Sequence, residues 1–105
     1  MSKKVSDILP DTEILAQLAE EASELAQAAL KLRRALDGTN PTPKSVAECE
    51  ANLTEEIADV NLCVGTLLSA LNISVEEFGN KIDSIAIAKK ARWLFRLEAK
   101  EQSNE

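Results

Sequence analysis

The chain has 105 residues, 45% of them apolar and 29% charged, which points to one small globular domain rather than a disordered segment. Its net charge of −6 removes the electrostatic footprint of a nucleic-acid binder, and its lack of histidine removes Ser-His-Asp catalysis and histidine zinc ligands. The apolar set is rich in Ala and Leu, and glycine, proline and aromatic residues number three each, a mix that favours helix over sheet.

Residues 1–10 read as a lead-in: Lys3 and Lys4 have no apolar run behind them, so no signal peptide is expected. A first helix is predicted from Asp11 to Leu36, ended by Gly38 as a left-handed terminator. Its expected stripe is Leu18, Ala22, Leu25, Ala29, Leu32 and Leu36, in alternating steps of four and three. Asp37 to Pro43 reads as a loop. A second helix is expected from Thr42 as N-cap and Pro43 as first helical residue, with Val46, Cys49, Leu53, Val60, Val64 and Leu67 leading to Leu71. Asn72 is placed to end it in the left-handed region.

The third helix is expected to open at Ser74, with Glu77 completing a capping box, and to run to Leu94 or Leu97. Residues 99–105 read as a frayed polar tail. The fold class is therefore all-α, an antiparallel bundle of three long helices forming a single domain. Apolar side chains lie outside the main stripes, as at Ala16, Ala19, Leu30 and Leu62, so completion as a homo-oligomer, dimer or tetramer, is expected. Cys49 and Cys63 stand about 21 Å apart along one helix at 1.5 Å per residue, too far to bridge. Reduced thiols, a cytoplasmic setting and no membrane span follow as expectations.

Acidic residues in unusual positions carry the functional signal. At about 100° per residue, Glu56 falls within about 40° of Val60, inside the second helix's apolar stripe, with Asp59 further round the same side. Glu21 lies about 60° and Glu24 about 120° from Leu18 on the first helix. Each helix thus presents an acidic pair at i, i+3, and like charges at that spacing repel. Glu20, Glu50 and Glu55 read as solvated surface. No Lys or Arg lies at i±3 or i±4 of Glu56, and a bound cation would relieve it. A site of carboxylates without Cys or His selects hard ions, Mg²⁺ or Mn²⁺.

The run Glu20-Glu21-Ala-Ser-Glu24, followed by Glu55-Glu56-Ile-Ala-Asp59, resembles the EExxE…ExxD signature of the MazG-like all-α nucleoside triphosphate pyrophosphohydrolases. Asn80-Lys81 downstream agrees with that pattern, and the likeness spans roughly Leu15 to Trp93. The gap between Leu25 and Glu55 is long for the family. The resemblance implies hydrolysis of a nucleoside triphosphate between its α and β phosphates, releasing monophosphate and pyrophosphate. It also implies Glu21, Glu24, Glu56 and Asp59 as catalytic metal ligands.

Lys31, two turns beyond Glu24, and Asn80 with Lys81 are the candidates for holding phosphate. Lys89 and Arg92 read more readily as a solvated basic face, and Trp93 as packing rather than base stacking. No Walker-type glycine loop is present in the sequence. The alternative is a non-enzymatic helical interaction module with an acidic face.

Overall fold

The computed structural model describes residues 3–38 and 44–103. These residues are all-helical: a 3-10 turn at Val5–Asp7, then α1 (Asp11–Asp37), α2 (Val46–Ala70) and α3 (Val75–Ser103). Two compact units divide at Asn72, the first holding the turn, α1 and α2, the second α3.

Helix α1 begins after an extended Pro10 without a side-chain cap, and Asp11 and Glu13 place negative charge against the positive end of its dipole. It ends where expected. Gly38 takes φ 68°, and its N–H donates to the Arg34 carbonyl at 2.9 Å, satisfying one of the carbonyls a helix end leaves open.

Helix α2 starts later than the sequence reading had it. Thr42 and Pro43 lie outside the described residues, and Ser45 is the N-cap. Its hydroxyl accepts from the Glu48 N–H at 3.1 Å, while the Glu48 carboxylate accepts from the Ser45 N–H at 3.2 Å. This reciprocal pair satisfies two helix-end donors, which fixes the start at Val46. The helix closes through Leu71, whose N–H reaches the Leu67 carbonyl at 2.9 Å, and Asn72 turns left-handed at φ 56° as the sequence suggests.

In the first unit α1 packs along α2, and the 3-10 turn packs on α2. The least exposed residues of α1 are Ile14, Leu18, Glu21, Leu25, Ala28, Leu32 and Ala35, alternating steps of four and three. This corrects the expected stripe. Leu18, Leu25 and Leu32 lie in the seam as expected, whereas Ala22, Ala29 and Leu36 are exposed and their places are taken one residue earlier by Glu21, Ala28 and Ala35. On α2 Cys49, Leu53, Glu56, Val60, Cys63, Leu67 and Ala70 follow one stripe, with Glu56 inside it as its helical angle suggests, and Ile14, Ala28, Cys49, Cys63 and Leu68 are buried. Leu71, expected in the stripe, is 44% exposed. On α1, counting apolar letters favours Ala22 over Glu21, so the stripe is drawn beside the acid rather than through it.

In the second unit α3 is N-capped by Ser74, whose hydroxyl accepts from the Glu77 N–H at 3.3 Å. It runs past Leu97 to Ser103, so the tail expected to fray from residue 99 is helical through that point. Residues 98–102 are Glu, Ala, Lys, Glu and Gln, strong helix formers without a breaker. No residue of α3 is buried, and Trp93 and Phe95 are 63% and 72% exposed. No helix among the described residues is long and apolar enough to cross a membrane.

Hydrogen bonds from Ser45 hold the Glu48 carboxyl below the usual carboxylate range. The stability this linkage gives is present above the unfolded-state value and is lost as pH falls through the lowered one. Ser45→Ala, which removes this N-cap, should lower the urea unfolding midpoint near neutral pH. The loss should shrink in acid, as Glu48 protonates in both proteins.

Candidate functional site

Glu21 and Glu24 come from α1 and Glu56 from α2, and one carboxylate oxygen from each lies within 4.8 Å of the other two. The helices dictate this. Glu21 and Glu56 occupy seam positions, so packing α1 on α2 drives them inward, while Glu24 stands one turn beyond Glu21 on the exposed edge.

The cluster is short of donors. Gln17 Nε2 donates to Glu21 Oε1 at 2.9 Å, an i, i+4 contact along α1. Glu21 Oε2 and Glu56 Oε2 are buried as atoms and have no hydrogen-bond partner among the described residues. No lysine or arginine of the described residues pairs with any of the three glutamates. The ion pair seen on α1, Arg33 with Asp37 at 3.8 Å, lies near the helix's C-terminal end. Burying a carboxylate oxygen without a donor costs on the order of 1–3 kcal/mol.

Repulsion is registered at Glu24. Its carboxyl is pushed above the ordinary range by the charge of Glu21 first, then that of Glu56, with smaller contributions from desolvation, Glu20 and a hydrogen bond to Glu56. Two carboxyl groups that share a hydrogen bond hold one proton more easily than none.

Asp59 does not bring an oxygen into the group of three. It is half-buried one turn beyond Glu56, rotated by about 60° from it. There its charge acts on Cys63, whose thiol is raised by burial first, then by Glu21 and then by Asp59. Cys49 and Cys63 are both free and buried, in keeping with reduced thiols. Glu20, Glu50 and Glu55 are exposed, as read from their helical angles.

Lys31 is exposed on α1, about 10 Å further along the axis than Glu24. Asn80 and Lys81 are exposed on α3 and, with Ser84 and Ile85, line a shallow depression in the second unit. Gln17 was missed in the sequence. Its signal is the four-residue spacing to Glu21, visible only once Glu21 is known to face inward.

Chemically, three convergent carboxylates with two undonated oxygens form an all-oxygen donor set suited to a hard divalent cation. In comparisons with known proteins the chain matches no family model, no curated protein and no solved structure.

A carboxyl with a raised folded-state value gives stability below its unfolded value that is lost as pH rises through the folded one. In chelator, Glu24→Gln should therefore melt at a higher temperature than the parent near pH 7. That difference should close as both are taken into acid, where the parent carboxyl gains its proton. A difference independent of pH would mean that Glu24 feels no repulsion.

Proposed function

We propose that the chain is a Mg²⁺-dependent nucleoside triphosphate pyrophosphohydrolase of the MazG-like kind. The carrying observation is the convergence of Glu21, Glu24 and Glu56 from two helices around buried oxygens without donors. The order of the acidic motifs along the chain supports it. In this reading Glu21, Glu24 and Glu56 would hold the ion, Mg²⁺ or Mn²⁺, while Asp59, whose oxygen lies outside that group, adds negative charge beside it. A divalent ion held by these carboxylates would supply Lewis-acid chemistry toward phosphate and water.

The chain's own residues then divide the remaining work. Gln17 fixes the Glu21 carboxylate by its 2.9 Å hydrogen bond, so that the second oxygen keeps its aim. The apolar seam above and below the cluster limits water. Lys31 neutralises phosphate charge as a point charge. The products are nucleoside monophosphate and pyrophosphate. We place the protein in the cytoplasm, with its α1–α2 pair antiparallel and the bundle completed by association into a dimer or tetramer.

A second reading has its own observation. Helix α3 exposes Val75, Ile87, Trp93 and Phe95 along its length, as a helical interaction module would. The two readings part on metal and on catalysis. A pyrophosphohydrolase should gain thermal stability with millimolar Mg²⁺ over chelator, by about 2.7 kcal/mol at a hundredfold excess over Kd. It should also release pyrophosphate rather than orthophosphate from triphosphates, with ¹⁸O from solvent water found in the monophosphate.

Glu56→Gln should lower turnover by 10²-fold or more, on the scale of a lost metal or electrostatic contact, while keeping the helical signal. Exposed Glu55→Gln should leave turnover within about twofold. Mg²⁺-insensitive melting together with inert triphosphates would favour the interaction module.

A further inference from the structure

The middle of α3, from Ser84 to Leu97, differs from the rest of the chain in charge. It carries Lys89, Lys90, Arg92 and Arg96 and no acid, although the chain as a whole has net charge −6. None of these cations has an ion-pair partner among the described residues. Asp83 and Glu98 bound the segment, which is about 20 Å long at 1.5 Å per residue.

The helix sorts these residues by angle. With Leu94 as centre, at about 100° per residue, Ile87 falls about 20° away, and Leu97 and Ala91 about 60° to either side. Trp93 and Phe95 stand at the two edges, each about 100° off. Lys89, Arg92 and Arg96 lie opposite, about 140–160° from the centre. The apolar side is bare: Ile87 is 71% exposed, and Leu94 and Leu97 are 52% and 50%. We propose that this segment lies on an anionic lipid surface, with its aliphatic side in the acyl boundary and its cations among the headgroups.

Lying on a bilayer needs no spanning length. The hydrocarbon core is about 30 Å thick, whereas a surface helix sinks its apolar side only about 5–10 Å. Its far side, one helix diameter away, then stays at headgroup depth. Trp93 at an edge suits that level, because its ring is apolar and its N–H can still reach water.

Lys90 separates a lipid surface from other partners. It stands only about 40° from Leu94, and it lines one apolar depression with Trp93, Leu94 and Leu97. A dry protein interface would have to answer that ammonium with a buried acid. A nucleic acid would neutralise the cations and leave Ile87 and Leu94 in water. At a bilayer the Lys90 stem stays among apolar groups while its ammonium reaches the phosphates. Acids elsewhere in the chain oppose this attraction little beyond about 8 Å at physiological salt. The inference rests on α3 alone and asks nothing of the acidic site.

Trp93 is the chain's one tryptophan, so its fluorescence reports on this face directly. The full chain would be mixed with vesicles of phosphatidylcholine alone or with one-third phosphatidylserine. Serine-lipid vesicles should shift Trp93 emission to the blue and carry the protein down on sedimentation. Their affinity should exceed that of phosphatidylcholine by roughly tenfold or more, and should fall as salt is raised. Lys89→Gln, Lys90→Gln, Arg92→Gln and Arg96→Gln made together should abolish the preference and keep the helical signal, since glutamine is a comparable helix former. Leu94→Gln, with every cation in place, should weaken binding to the serine-lipid vesicles several-fold.

A folded chain that ignores phosphatidylserine, binds both lipids equally, or binds as well after either change would overturn the assignment. So would tighter binding to a single-stranded oligonucleotide than to the vesicles. A blue shift that grows with protein concentration in the absence of lipid would give the face to a second copy instead.

Discussion

Glu21 and Glu56 stand where a two-helix seam ordinarily places leucine or alanine, and the rest of the first unit is arranged around that cost. Packing α1 against α2 buries apolar side chains from Ile14 to Ala35 and from Cys49 to Ala70, at a gain of roughly 25 cal/mol per Å² removed from water. The same packing forces two carboxylates together and strips donors from one oxygen of each. Neither effect can be had without the other. Glu24 feels the strain from the rim, and Gln17 answers it with one hydrogen bond. A site of this kind trades some stability for a concentrated negative field between rigid elements.

Most of the secondary structure was legible because it rests on local chemistry. Gly38, Asn72 and Ser74 each act within one turn of backbone, through a left-handed φ or a hydroxyl cap, and the structure has them acting there. The start of α2 was misjudged among near-equivalent candidates. Thr42 followed by Pro43 is a sound opening pattern, and Ser45 followed by Glu48 is a reciprocal one, which local pattern did not rank. The length of α3 was underestimated because its last turns lack apolar residues, although their helix propensity is high.

The site was legible in composition and only partly in geometry. Angles on an ideal helix brought out Glu21, Glu24 and Glu56, and these are the three that converge. The same angles put Asp59 on the right side, and its oxygen still falls outside the group. One turn of rise and a rotation of about 60° separate it from Glu56, and that difference decides proximity only when the facing helix is in place.

The regularity of the seam has a geometrical consequence for the winding of the pair. From Ile14 to Ala35 the stripe on α1 repeats every seven residues, and Cys49 to Ala70 on α2 does the same. A seven-residue repeat drifts by about 20° per heptad on a straight helix, so three heptads accumulate about 60°. Two straight rods could match their stripes in the middle and would part toward the ends. Keeping the whole length in contact calls for a gentle left-handed supercoil, with the helices slightly overwound. The carboxylates near the centre of α1 would then be clocked by the twist of the entire pair, so a change of pitch far from Glu21 would rotate its oxygens relative to those of Glu56.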